Sequence, residues 1–297
     1  RDLASVSAFL LNRSSDLARK SACPDRLIYG RMTGWGQKGA WAHTAGHDIN
    51  YLAMTGALHA MGAAGSPPAP PLNLVADFGG GSIFLVFGLL AAVIERGISG
   101  KGQVVDSAMV DGVPAMMGLI HGFLAQGAWS LERGDNWLDG SSHFYRCYEC
   151  ADGKFVAVGA LEPQFYAELL SKLGLNASDL GDQFDRTCWA RNSDTLAGVF
   201  RTRPRDSWAE IFAGTDACVA PVMDLVEARH HPVNTERDVF FEQDGVWQAQ
   251  PAPRFGKSTP ATPPPPDGPG AHGAEILSEL GYSPDDLEAL EKSGALT

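Results

Sequence analysis

The 297-residue chain has no surplus of basic residues: Lys and Arg number 23 against 35 Asp and Glu, a formal net charge of −12. Nucleic acid is held mainly through Lys/Arg contacts to phosphate, so this balance argues against a nucleic-acid partner and against a polybasic membrane patch. Room is left for a local pocket with two or three Arg. Long hydrophobic runs are missing as well. The longest, Ile83 to Ile94, falls short of the roughly 20 apolar residues that span a bilayer, so no membrane insertion is expected. Cysteines are few and odd in number (Cys23, Cys147, Cys150, Cys188, Cys218), which suits reduced thiols better than a disulfide framework. No charged-then-apolar leader opens the chain, and Ala295-Leu296-Thr297 is not a peroxisomal address, so a cytoplasmic protein is expected. Three motifs are also absent: the phosphate loop, the G-x-G-x-x-G fingerprint and the G-x-S-x-G elbow of esterases.

The composition that remains, 44% hydrophobic and 20% charged, is that of a folded protein long enough for about two domains. The pattern reads as α/β. A first strand is expected at Leu27–Tyr29, after a mixed stretch over residues 1–24 that looks like an unfinished beginning. A Gly-rich loop follows at Gly34 to Gly39, then a helix from Asp48 to about Met61 with apolar residues at Ile49, Leu52, Ala53, Ala57 and Met61. A tight turn at Asp77 to Gly81 leads to a buried helix from about Ser82 to Arg96, stopped by Gly97. Val104-Val105 reads as a strand and residues 107–126 as an apolar helical connector. A second unit opens near Ser142 with a hairpin, His143 to Cys150 and Lys154 to Ala160, around a two-residue Asp152-Gly153 turn. Glu162-Pro163 then starts an amphipathic helix closed by Gly174, with further helices at about 194–213 and 223–229. Residues 251–270 form a Pro-rich tether, and the tail carries two short helices, the second capped at Ser283. The division expected is a large domain over 1–141, a small α+β domain over 142–250, and a tether with tail over 251–297.

Three places can carry chemistry. Gly79-Gly80-Gly81 before a helix offers backbone N–H groups to an anion, with Asp77 just ahead of it; on spacing alone Asp77 is as readily a cap. His47-Asp48 stands at a helix N-terminus, where the dipole disfavours the imidazolium and keeps the ring available as a base; Asp48 there is also a good N-cap. Glu162 lies on the turn from a strand into a helix, where α/β ligand sites gather and where surface glutamates are common. Cys147-x-x-Cys150 lacks the second pair that a zinc ribbon needs, and a strand would point the two thiols to opposite faces, so they read as structural. His230-His231 reads as a surface pair, and no metal site is expected.

Several segments in order resemble one family: Arg26 to Gln37, Ala45-Gly-His-Asp-Ile-Asn-Tyr51, Pro71 to Ser82 with its Asp-Phe-Gly-Gly-Gly, Ser99 to Asp106, Tyr148 to Gly153, and Val158 to Tyr166 with its Glu-Pro-Gln-Phe. From about residue 25 to its end the chain is similar to the α-methylacyl-CoA racemases of the family III CoA-transferase (CaiB/BaiF-like) superfamily. The resemblance implies epimerisation of 2-methylacyl-CoA thioesters by two-base 1,1-proton transfer through an enolate. It gives His47 and Asp77 as the bases, Glu162 as support for the histidine, and Gly46, Asp48, Ile49, Asn50 and Tyr51 as lining of the acyl-CoA site. No metal or separate cofactor is implied, since CoA arrives with the substrate. The implied fold is a Rossmann-like large domain, here without its opening part, and a small α+β domain, in an interlocked homodimer whose tail returns to the large domain. Two alternatives are weighed against this. Transferases of the superfamily use the aspartate matching Asp48 as a nucleophile, usually after an aromatic residue rather than a histidine. A truncated, non-catalytic remnant that binds acyl-CoA or dimerises is the other.

Overall fold

Parallel strands need a long crossover between them, and the candidate residues of the first part of the chain lie on such a crossover. β1 (Tyr29–Thr33) pairs with β2 (Val104–Ala108) in parallel, Tyr29 beside Val104 through Thr33 beside Ala108. The computed structural model describes residues 25–296, which divide into two compact units, one ending at Val222 and one beginning at Met223. The mixture of helices and strands is that of an α/β fold.

Between β1 and β2 lie α1 (Asp48–Thr55), a π-helix (Leu74–Ile83) and α2 (Phe84–Ser99) that continues it. α1 stops earlier than its apolar spacing suggests, at Gly56 in the left-handed region (φ 83°). The expected turn at Asp77 to Gly81 is instead helical, and the helix ends at Gly100 (φ 77°) rather than Gly97. One continuous helix, Leu74–Ser99, is therefore long and apolar enough to cross a membrane by length and composition. The shorter run counted in the sequence broke at residues that the helix passes through. Val86, Phe87, Leu90, Ile94 and Ile98 are exposed on it.

Beyond β2 the expected connector is two helices, α3 (Met109–Met116) and α4 (Gly118–Ala125), with Pro114 inside the first. α3 lies against the π-helix at backbone contact. A methyl group on Gly112 would sit 2.0 Å from the Gly80 carbonyl oxygen, and one on Gly80 would meet Val113 at 2.9 Å. Met109 and Val113 join Tyr51, Leu52, Ala57 and Ala76 in a small core.

The larger core lies further along. β3 (Tyr145–Glu149), β4 (Phe155–Gly159) and β5 (Val219–Pro221) form an antiparallel sheet in that order. The β3–β4 link is longer than the expected two-residue turn: Gly153 N–H bonds the Cys150 carbonyl, and Gly153 takes φ 74° before pairing resumes. Cys147 is exposed and Cys150 buried, as alternation along a strand dictates. α5 (Pro163–Leu173) starts on its proline and stops at Gly174. α6 (Ala177–Leu180), α7 (Arg186–Phe200) and α8 (Arg205–Phe212) replace the single helix expected at 194–213; Asp185 caps α7 and Pro204 precedes α8. Phe144, Tyr148, Val156, Leu169, Leu196, Phe200 and Trp208 make the centre of this core.

In the second unit, α9 (Glu227–His230) and α10 (Pro232–Thr235) precede the hairpin β6 (Phe240–Gln243) and β7 (Val246–Ala249). Its two-residue turn, Asp244-Gly245, has both φ angles positive (52° and 78°), the Asp-Gly pairing such hairpins favour. His230 packs edge-on against Trp247. α11 (Gly273–Glu279) and α12 (Pro284–Lys292) form the tail, the latter under the expected Ser283 cap. Cys23 lies outside the described residues.

Candidate active site

The start of α1 is built around Tyr51. Its hydroxyl donates to the Gly46 carbonyl, and its ring meets Trp35 edge-on at 4.8 Å, with Trp41 against Trp35 in turn at 4.7 Å. The ring fills the space over two glycines: a methyl group would come within 2.0 Å of it from Gly34 and 2.8 Å from Gly46. Those residues are glycine because the tyrosine needs their room. His47 follows in extended conformation, exposed, its backbone N–H held by the Asn50 side chain at 3.0 Å. Asn50 and Ile49 are exposed, whereas Tyr51 is buried.

Asp48 turns inward. It is 4% exposed, and its Oδ2 accepts the backbone N–H groups of Ala76 and Asp77, each at 2.8 Å. These are among the first-turn donors of the π-helix, which have no acceptor one turn back. The expected cap at this helix start is therefore not Asp77 but a carboxylate from another helix. Gly79 to Gly81, expected to present N–H groups to an anion, lie inside the helix instead, where they allow the close approach of α3.

Asp77 thus sits on the first turn of the π-helix, half-buried, beside His47 and Asp48. Burial pushes its carboxyl above the usual aspartate range and the negative charge of Asp48 adds to this, while a hydrogen bond from the Asn73 side chain and the charge of His47 act the other way. An acid of raised proton affinity beside an imidazole is a pair in which each group can hold a proton while the other lacks one. The first two amides of α1, Asp48 and Ile49, have no acceptor one turn back and can serve an oxygen on which negative charge develops.

Glu162 is placed elsewhere. It precedes Pro163 at the start of α5, exposed. Among the described residues no hydrogen bond or ion pair joins it to His47. Burial pushes the Cys218 thiol up, and the Glu162 carboxylate contributes to that shift, which places Glu162 near the start of β5. One chain therefore brings His47, Asp48 and Asp77 together and leaves Glu162 apart.

Three features escaped the sequence reading. Asn73 bonds Asp77 from the residue before the helix. Gly112 makes the π-helix contact possible, and a glycine amid apolar helix residues was its visible signal. An apolar cavity of about 190 Å³, lined by Met61, Val75, Val113, Met116, Met117 and Ile120, opens beside the same helix. A larger open cleft of about 1000 Å³ next to Tyr145, Arg146, Arg186 and Trp189 is lined by none of the candidate residues.

The pattern of CoA-transferase family III matches residues 15–273. The alpha-methylacyl-CoA racemase of Mus musculus is 44% identical over 265 residues, covering 88% of this chain and 69% of that protein. The Homo sapiens racemase is 43% identical over 270 residues, covering 89% and 70%. A crystal structure of a CaiB/BaiF family protein from Brucella suis superposes with a TM-score of 0.72 over 90% of this chain and 71% of that one; at 22% identity this likeness speaks for the fold alone.

Proposed function

Since the chain belongs to CoA-transferase family III, we propose that it is an isomerase that racemises 2-methylacyl-CoA thioesters, with His47 and Asp77 as the two bases. The observation that carries this reading is that the Asp48 carboxylate ties the helix start at His47 to the helix start that holds an Asp77 of raised proton affinity. Its identity to two racemases, 44% and 43%, supports the substrate class.

One base removes the proton from the carbon α to the thioester, and the C–H electron pair moves into an enolate. The enolate oxygen is met by the amides at the start of α1. The other base, already protonated, returns a proton to the opposite face, inverting the centre and leaving the bases with their protonation states exchanged. The next substrate of opposite hand resets them. Gly46, Asp48, Ile49, Asn50 and Tyr51 line or brace the acyl-CoA site, and the apolar cavity at Val75 and Met116 takes acyl carbons. The reaction as proposed draws on no metal or separate cofactor, because the thioester itself acidifies the α-proton.

We assign Glu162 the support of His47, supplied by a second copy in a homodimer, since within one chain the two residues do not join. Free thiols at Cys147, Cys150, Cys188 and Cys218 support a reducing, cytoplasmic setting. The Leu74–Ser99 helix is read as part of the protein fold rather than a membrane span, in keeping with the backbone contact at Gly80.

Deuterium uptake from D₂O into the α-position of a 2-methylacyl-CoA, read by mass spectrometry, tests the assignment. His47→Ala and Asp77→Ala are each expected to reduce uptake ~10²–10⁴-fold; a folded wild-type chain without uptake would leave the non-catalytic reading in possession. Mixing inactive His47→Ala and Glu162→Ala chains tests the shared site. Random exchange makes half the dimers mixed, each with one intact site, so roughly a quarter of wild-type activity should return. No recovery despite subunit exchange would place Glu162 within its own chain's site.

A further inference from the structure

We propose that Asp48 is a positioning residue whose carboxylate clamps the first turn of the π-helix and so fixes the Asp77 carboxyl beside His47. This rests on the two-base reading above and gives Asp48 a task other than lining the substrate or attacking it.

The clamp is specific in its geometry. A single oxygen, Oδ2, takes the N–H groups of two consecutive residues, Ala76 and Asp77, and the second of these is the base itself. The contact spans 28 and 29 residues of sequence, so it ties the start of α1, where His47 sits, to the start of the π-helix. With 4% of the residue exposed and Oδ2 engaged twice, Asp48 is badly disposed to attack a thioester carbonyl. A nucleophile needs a lone pair open to the substrate.

Oδ1 is buried with no hydrogen-bond partner among the described residues, and the negative charge of the carboxylate acts on its neighbour Asp77. The charged groups on the elements packed against the π-helix are Asp48 and His47 from the start of α1, Arg31 on β1, Glu95 and Arg96 on α2, Asp106 on β2 and Asp111 on α3. Of these, Asp48 and His47 are the ones that act on Asp77, in opposite directions. The clamp thus holds the position of Asp77 and, by its charge, favours the protonated form in which Asp77 gives a proton back to the enolate.

Two substitutions separate the two effects in the full chain. Asp48→Asn keeps an oxygen for the two N–H groups and removes the charge. Asp48→Ala removes both. In Asp48→Asn the Asp77 carboxyl, followed by ¹³C NMR titration without substrate, should titrate at lower pH than in wild type, with the Ala76 and Asp77 amides still protected from exchange. In Asp48→Ala those amides should exchange at least ~10-fold faster; should this variant not fold, the asparagine variant decides alone. With acyl-CoA, the pH profile of deuterium uptake at the Asp77-dependent limb should move in step with the titration. An unchanged Asp77 titration in Asp48→Asn overturns the proposal, as does hydroxylamine trapping of an acyl group on Asp48. If wild type takes up no deuterium the two-base reading fails, while the titration and amide exchange still judge the clamp.

Discussion

Around Phe200 the packing is ring on ring. Tyr148 stacks on it at 5.0 Å, with Trp208 at 5.3 Å and Phe212 at 6.4 Å, all under the β3–β5 sheet. Around Gly80 the packing is backbone on backbone, and a buried carboxylate rather than an apolar side chain closes the helix end. The first region gains its stability from area removed from water, which tolerates small shifts. The second is held by close approach and directed hydrogen bonds, which do not. Catalytic groups must be kept within a fraction of an ångström, and the arrangement of close approach and directed hydrogen bonds is found where the proposed bases His47 and Asp77 lie.

The comparison can be broken from either side. Phe200→Ala should cost about 3–5 kcal/mol in urea denaturation, because a fully buried ring leaves a cavity among three aromatic neighbours. If the loss is under about 1 kcal/mol, the ring cluster is not what holds that core.

The next effect is acid-dependent. His143 is fully buried, its Nε2 2.7 Å from the Tyr166 hydroxyl and its Nδ1 without a hydrogen-bond partner among the described residues. Burial lowers its pKa from 6.5 to about 4. The unfolded chain therefore takes up a proton between those values that the folded chain refuses. The stabilisation from a neutral His143 is complete above pH 6.5 and is lost as the pH falls towards 4, to the extent of ~3 kcal/mol. Urea midpoints between pH 7 and pH 4 should fall less steeply in His143→Gln than in wild type; parallel curves would remove His143 from the acid response.

The smallest global effect is expected from Gly112→Ala. Its methyl group, 2.0 Å from the Gly80 carbonyl, forces the helices apart at a cost of ~1–3 kcal/mol. Deuterium uptake should nonetheless fall by a larger factor than the stability loss implies, because the displaced helix carries Asp77. Full activity in Gly112→Ala would show that the close approach is not needed by the site.

Legibility in the sequence divides along the same line. The α5 helix announces both ends through Pro163 and Gly174, α12 announces its start through Ser283, and the alternation around Cys147 and Cys150 was readable because these signals are local. The sequence predicts a turn at Asp77 to Gly81, since three successive glycines disfavour a helix by ~1 kcal/mol each, and what overrides them is contact with α3. The part of Asp48 as a cap was out of reach for the same reason, since its partners are nearly thirty residues away. α7 begins earlier than the helix expected from about residue 194 because Asp185 caps it at Arg186. His47, Asp77 and Glu162 stand out in the sequence as candidates, and resemblance to a family supplies the roles proposed for them. Their residue types alone left capping and surface readings open, and the separation of Glu162 from His47 belongs to tertiary structure.

The seating of Tyr51 over Gly34 and Gly46 has a bearing on time as well as on shape. Its ring lies across two backbone segments with its hydroxyl tied to one of them, so a half-turn about the Cβ–Cγ axis requires the Gly34–Gly46 loop to lift away. The flip rate of that one ring is therefore a clock for the opening of the loop next to His47. The two sides of the tyrosine ring should remain distinct for as long as the loop stays closed.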